Sequence, residues 1–348
     1  MHDSGTTAGL RGIDSVDGTN GMVAWASGTG GTVLRTTDGG AHWQKCAVPD
    51  AATDGEILDF RGVQAFDRNT AIVMSSGKGR LSRLYKTTDG CLTWKLVFIN
   101  PDNEGFFDSL NGNIYALAVL GDPVNGSFPV FYSIGGGNDW IRYTGRKIFA
   151  AKGEAAFAAS NSSMLPPIYT TELSVRFVSG GPSDAYLHAY RWHWIGDLAR
   201  WQSFEATKLP MGGSASSGAF AIAMGCDESG FAKACPVVVV GGDFLKPDEQ
   251  NRTALFGIIP DHSQNFSQMR PAKIPPHGYR SAVQWSEPLK LWITVGTNGS
   301  DISRDDGKTW QALDDGNWNA LSLPFVVGPN GRIARINPSE IPASQRGH

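Results

Sequence analysis

Three guanidiniums, Arg11, Arg61 and Arg280, stand at the second position of one recurring tetrapeptide: apolar, variable, small, apolar. Its seven copies are Leu10-Arg-Gly-Ile, Phe60-Arg-Gly-Val, Phe107-Asp-Ser-Leu, Ala156-Phe-Ala-Ala, Ala219-Phe-Ala-Ile, Tyr279-Arg-Ser-Ala and Trp318-Asn-Ala-Leu. The variable position therefore carries Arg11, Arg61, Asp108, Phe157, Phe220, Arg280 and Asn319. If these side chains converge, guanidiniums could hold planar anionic oxygens in bidentate fashion. Asp108 or Tyr279 could act as general acid or base. Phe157 and Phe220 would supply an apolar wall. The competing reading is that the Arg and Asp side chains pair with one another and only fill space.

A second repeat follows each tetrapeptide as an apolar run ending in glycine, at Gly28, Gly77, Gly121, Gly180, Gly241, Gly296 and Gly328. Each reads as a strand followed by a turn. Beside these turns lie further candidate binding residues: Lys78, Asp122, Asp243, Lys246 and Asn298. Seven openings and seven glycine turns at a spacing of about 40–50 residues predict seven four-stranded units. The expected blades span approximately 10–46, 60–98, 106–142, 154–205, 218–269, 278–313 and 318–338. The last has only three strands, and the segment around Ser4–Ala8 is expected to supply its fourth. That would close the ring and hide a sheet edge.

A third repeat is Thr36-Thr-Asp38-Gly-Gly40-Ala-His42-Trp43, recurring at Thr87–Trp94 and Ser303–Trp310. Cys91 replaces the second glycine in the middle copy. Degenerate copies lie at Ser133–Trp140 and, keeping only the aromatic, at Trp201 and Phe266. The Asp carboxylate can accept backbone N–H bonds within such a turn. Asp38, Asp89 and Asp305 are therefore read as structural.

This turn resembles the Asp box of sialidases and related β-propellers. The resemblance implies an all-β, seven-bladed propeller forming one domain, with the tetrapeptide openings and glycine turns on one face and the Asp boxes on the other. The stretches Val238–Pro247, Pro275–Ala282 and Val326–Arg335 resemble secreted microbial propellers that are labelled oxidoreductases, although no nucleotide or flavin motif supports that activity here. The outline is also similar to photosystem II assembly propellers, which are scaffolds. In type rather than by motif, the chain resembles fungal propellers of secondary metabolism. Some of these join a tropolone quinone methide to a humulene-type terpene by a hetero-Diels–Alder reaction. That likeness implies a cofactor-independent pericyclase. Its Arg residues would hold the tropolone oxygens, Asp108 or Tyr279 would assist loss of water, and Phe157 and Phe220 would position the diene. The alternatives are a non-catalytic scaffold with a protein partner and a sialidase-like glycosidase. The latter fits poorly with seven blades and few Glu at the ring.

The 348 residues include 43 Gly but only 18% charged side chains, with a net charge of −3. No basic face suits nucleic acid. No apolar run reaches the ~20 residues of a membrane span. CxxC, HExxH, GxSxG and helix-opening GxGxxG patterns are missing, so no metal or cofactor is expected. His188 and His193, five apart on a strand, face opposite ways. Five N-x-[ST] sequons, at Asn125, Asn161, Asn251, Asn265 and Asn298, fall in expected loops. Cys226 and Cys235 bracket a short loop and suit a local disulfide. Cys46 and Cys91 either bridge the first two blades or are both free. Sequons and a disulfide together favour a secretory route, with a signal peptide already removed.

Overall fold

The computed structural model describes residues 1–49, 58–169, 172–195, 198–226, 234–259 and 268–342. Among the described residues, seven antiparallel sheets, six of four strands and one of three, follow one another along the chain as a seven-bladed β-propeller, with an additional two-stranded ribbon of Ser127–Phe128 and Ile148–Phe149. Blade 1 pairs Leu10–Ser15, Ala24–Gly28, Thr32–Thr36 and Gln44–Lys45 in chain order, from axis to rim. The second strands, such as Ala24–Gly28, Ala71–Ser75, Leu117–Gly121 and Leu291–Gly296, are buried throughout. Each blade is sandwiched between two others, so both faces of its second strand must be apolar or small. Cores form between blades: Val16, Trp25 and Val33 of blade 1 meet Phe60, Val63 and Val73 of blade 2. The rim strands Gln44–Lys45 and Ile141–Arg142 are exposed.

Polar side chains near the axis tie each blade to the next. The Asp14 carboxylate accepts the Ala65 N–H at 2.6 Å, and the Ser322 hydroxyl accepts the Ser15 N–H at 2.9 Å. The Asn319 amide donates to the Leu10 carbonyl at 2.7 Å. Such bonds satisfy strand groups that sheet pairing alone leaves open.

The three repeated turns share one bonding pattern. The Thr36 hydroxyl donates to Asp38 at 2.8 Å and accepts the Gly40 N–H at 2.9 Å; Thr87 and Ser303 repeat both bonds. The Asp38 carboxyl is held down to about 2, chiefly by the His42 N–H, and Asp89 likewise, chiefly by the Thr93 hydroxyl. Ser133 keeps the hydroxyl half of the pattern, accepting the Gly137 N–H at 3.0 Å. Trp201 lies in the long strand Leu198–Leu209 rather than after a turn. Phe266 and Asn265 are outside the described residues.

Of two expectations about strands, one holds in outline and one needs correction. The N-terminal segment does edge blade 7, through the His2–Ile333 bridge and the Gly331 N–H, which donates to the Ala8 carbonyl at 2.7 Å, rather than as a regular strand over Ser4–Ala8. The opening of blade 4, Ala156-Phe-Ala-Ala, is not a regular inner strand either. Ala155 bridges Gly180 and Met164 bridges Phe177, and the residues between leave the sheet. This segment crosses the axis: the Ser160 hydroxyl donates to the Ser281 carbonyl at 2.5 Å in blade 6. The Asn161 side chain accepts the Leu110 N–H at 2.6 Å in blade 3 and donates to Val63 in blade 2. It plugs the channel and divides it into two cavities.

Cys46 and Cys91 are bonded, joining blades 1 and 2, and Cys226 is bonded to Cys235. The first bond closes a 45-residue separation. Chain-entropy estimates for loops of this length give about 4 kcal/mol. The double variant Cys46→Ala/Cys91→Ala should lose roughly 3–4 kcal/mol in urea unfolding monitored by tryptophan fluorescence, while the folded signal is kept.

Candidate functional site

The recurring tetrapeptide is a β-bulge. Leu10 pairs with Gly28 and Gly12 with Ser27, so Arg11 has no partner across the strand. The same skip leaves Arg61, Asp108 and Phe220 unpaired in blades 2, 3 and 5. A bulge bends the strand and re-aims the extra side chain. Here it sends Arg11, Arg61 and Phe220 to the mouth of the channel, above the plug. They line a cavity of about 270 Å³ with Phe157, Phe244, Tyr279 and Asn319.

Phe157 and Phe220 stack with centroids 3.9 Å apart, and Tyr279 meets Phe220 edge-on at 4.9 Å. The glycine pair beneath makes room: a Cβ on Gly180 would lie 2.7 Å from the Phe157 ring. On the other side, Asp59 sits between two guanidiniums. Its carboxylate is 2.8 Å from Arg61 Nε and 3.8 Å from Arg11 Nε. Burial, and next the charge of Arg61, lower the pKa of Arg11. Among the described residues, Arg11 Nε and Asp59 Oδ1 make no hydrogen bond. One carboxylate thus serves two cations, which leaves an excess positive charge at the aromatic mouth. Burial also raises the Tyr279 pKa, so its phenol stays protonated.

Asp108 does not line this cavity. It is buried, with a pKa raised well above the usual range by burial and then by Asp122, and opposed by Arg61. Burial takes Asp122 up to about 6, and its carboxylate accepts the Ala156 N–H at 3.1 Å. Asp122 thus adds to the upward shift of Asp108, and Arg61 opposes it.

Arg280 is turned away from the mouth. A Cβ on Gly296 would fall 2.0 Å from the Tyr279 carbonyl, as one on Gly28 would fall 2.4 Å from that of Gly9 and one on Gly328 2.3 Å from that of Asn317. Tyr279 thus aligns with Gly9, Arg280 with Leu10, and Ser281 with Arg11. The tetrapeptide in blade 6 is Arg280-Ser-Ala-Val, one residue later than the pattern suggested. A one-residue slip moves a side chain to the other face. Arg280 is fully buried, donating from Nε to Asp301 at 2.6 Å and from Nη1 to Asn298 at 2.6 Å, with His277 Nδ1 2.8 Å from Asp301. Ser281, not Arg280, lines the mouth.

The other candidates scatter. Lys78 pairs with Glu104 at the surface. Asp243 and Lys246 belong to a separate pocket of about 220 Å³ with Ser214 and Glu249. Asn298 and Asn161 have their amides engaged inside the fold, while Asn125 and Asn251 are exposed. His188 is buried against Phe177 and bonded to Glu154 at 2.7 Å; the side chain of His193 lies outside the described residues. Asp59 was missed because it precedes the tetrapeptide, where no repeat marks it.

No family model matches the chain, and no curated protein matches it in sequence. Solved structures do. YCF48 from Cyanidioschyzon merolae superposes with a TM-score of 0.55 at 19% identity, over 94% of this chain and 95% of that one. YCF48 bound to D1 peptide gives 0.52 at 14% identity, over 94% and 93%. The Niastella koreensis GH74 enzyme gives 0.49 at 15% identity, over 87% of this chain and 46% of that one. At these identities the likeness is one of fold.

Removing Arg280 would leave Asp301 buried without its main cation, a loss of about 3–5 kcal/mol. Arg280→Ala should therefore lower the unfolding midpoint strongly. An apolar pair, Arg280→Met/Asp301→Leu, should recover most of it. Calorimetric scans of both variants check this. An unchanged midpoint in Arg280→Ala would return Arg280 to the list of lumen residues.

Proposed function

We propose that the mouth cavity binds one small, planar, acidic molecule, and that the protein is an enzyme acting on it. The observation that carries this reading is Asp59 shared between Arg11 and Arg61, opposite the Phe157–Phe220 stack. A planar acid would supply the second anion to the two guanidiniums while its ring lies against the aromatic wall. At about 270 Å³ the cavity suits one ring acid rather than two enclosed reactants.

The most concrete form is dehydration of a hydroxyalkyl tropolone. Tyr279, protonated and in the wall, would give its proton to the departing hydroxyl as the C–O bond breaks. The tropolone, bound as its anion, has already shed its O–H proton, so the phenolate would take a proton back from solvent at the open mouth. Water and a quinone methide result, with no oxidant or reductant needed. An apolar alkene would then approach over the rim, where Phe244 and Leu245 are exposed, and add across the O=C–C=C unit of the quinone methide, forming one C–O and one C–C bond. Fixed orientation of the two partners would lower the barrier by several kcal/mol. Two disulfides and the exposed Asn125 and Asn251 sequons favour a secretory or extracellular setting.

The same exposed Phe244 and Leu245 favour a second reading, a scaffold that docks a peptide across the mouth, as one YCF48 structure holds a D1 peptide. A glycosidase has less support, since Asp59 at the mouth is paired with arginine and Asp108 and Asp122 lie together in blade 3, with no two carboxyls facing each other across the cavity among the described residues.

Titration calorimetry with tropolone and salicylate should give saturable binding. Arg61→Gln and Arg11→Gln should each weaken it at least about tenfold, one charge-assisted bond's worth, with an unchanged melting temperature. Binding of salicylate, which stays ionised over this range, should also tighten as pH falls through about 6, because protonating Asp122 removes a negative charge beside Asp108, the carboxyl that Arg61 opposes. Asp122→Asn should flatten that pH profile. No saturation with either acid, or equal affinity in Arg61→Gln, would discard the acid site in favour of the scaffold.

A further inference from the structure

Below the plug the channel opens on the opposite face into a larger cavity of about 410 Å³. Phe157, Ala158 and Ala159 form the floor of the upper cavity, while Ser160, Asn161 and Ser162 form the roof of the lower one. The two spaces therefore share the plug as a wall but no lining residue, and the lower one holds none of the arginines at the mouth.

Polar side chains from several blades ring this lower cavity. Asp14, Gln64, Asn111 and Gln284 each come from the innermost strand of a different blade. Each is held by bonds that fix its direction. Asp14 Oδ2 accepts both the Ala65 N–H and the Gln64 amide, the latter at 2.9 Å. Gln284 Oε1 accepts the Leu323 N–H at 2.8 Å. Asn111 donates to the Met164 carbonyl at 2.8 Å. Among the described residues this leaves Asp14 Oδ1, Gln64 Oε1 and the Gln284 amide nitrogen without a hydrogen bond. Two acceptors and one donor are thus held rigidly at the wall. Met164, Ile222 and Met224 give the wall apolar patches between them.

The charges in the lining are those of Asp14, Asp17 and Arg176. Burial pushes Asp14 up to about 8, so at neutral pH its free oxygen can donate as well as accept. An anion gains little here, because the carboxyls face it together with the single guanidinium. The alternation of fixed donors and acceptors with small apolar patches matches a molecule that itself alternates hydroxyls with C–H faces.

We infer that the lower cavity is a second binding site, for an uncharged polyhydroxylated molecule of monosaccharide size, separate from the acid site at the mouth. The volume lies in the range of small-molecule pockets. The bonds that orient Asp14, Gln64 and Gln284 also hold the blades together, so the site is formed before any ligand arrives. Preformed polar groups lose little on binding and discriminate against partners that cannot satisfy them.

Saturation-transfer NMR on the whole chain with D-glucose, D-mannose, D-galactose and myo-inositol tests this. At least one should show saturable transfer with a Kd of about 1 mM, typical of a few hydrogen bonds in a small pocket. Met224→Trp, which fills the cavity, should abolish transfer. Should that variant fail to fold, Gln64→Met keeps the shape, removes the amide, and should weaken binding roughly tenfold. Arg61→Gln should leave sugar binding unchanged, and Met224→Trp should leave tropolone binding unchanged, so that either site can fail alone. Absence of transfer from all four to about 50 mM, well above such a Kd, would overturn the inference. So would transfer that survives both lower-cavity variants, or a melting temperature raised by calcium chloride and by none of the sugars.

Discussion

In four blades the innermost and second strands meet near the axis more closely than a side chain permits. A Cβ at Gly28, Gly241, Gly296 or Gly328 would lie between 2.0 and 2.4 Å from a carbonyl of the opening strand. Glycine at those places lets these sheets converge, while in blade 2 the small Ser75 stands at the same place, opposite Phe60. The same crowding explains the bulges. An opening strand that bends sharply into the channel cannot keep one-to-one pairing, so one residue per blade is left over. In blades 1, 2 and 5 that residue has no strand partner and turns to the mouth, whereas Asp108 of blade 3 is buried beneath it. The chemistry of the site is therefore written where strand pairing constrains side-chain type least, which is why Arg, Phe, Ser and Asn can alternate there.

Blade number and the mouth residues of blades 1, 2, 5 and 7 were legible in the sequence because the glycine and the small residue after the bulge recur together. Blade 6 was legible only to within one residue. In Tyr279-Arg-Ser-Ala-Val both possible frames place a small residue after the variable one, and only the position of Gly296 against Tyr279 separates them. Arg280 then shows why charge alone is a poor guide. A guanidinium read as a ligand group turned out to be neutralised by Asp301, inside the blade where the other copies carry Leu10 or Trp318. The plug in blade 4 was not legible. Ala156-Phe-Ala-Ala matches the tetrapeptide, yet only two isolated bridges attach the segment to its sheet. Its path depends on Gly62, where a Cβ would lie 2.7 Å from the Asn161 side chain, and no local pattern in blade 4 carries that information.

The plug changes what a propeller of this kind can do. An open channel joins both faces through one solvent column, and a charge at one mouth is screened by the water beneath it. Here the Phe157–Phe220 stack and the Ser160–Asn161 bonds fill the middle, and the mouth is backed by protein. Arg11 is driven towards deprotonation by this burial, and Asp108 and Asp122 are driven towards protonation by the same cause. All these shifts reduce the net charge held in a poorly solvated place, which is the response expected when ions lose water.

That response fixes the sign of the site. Driving Asp108 and Asp122 towards protonation reduces the negative charge that faces Arg61, while Asp59 is left to serve both guanidiniums. An arginine cannot shed its proton at accessible pH. The carboxyls can take one up, so burial of a mixed cluster ends with the positive charge surviving. Under the proposed reading the mouth is cationic because the acids behind it are the groups able to yield, although the chain as a whole is acidic. An incoming planar acid would then restore the balance at a site that the plug closes off from water below.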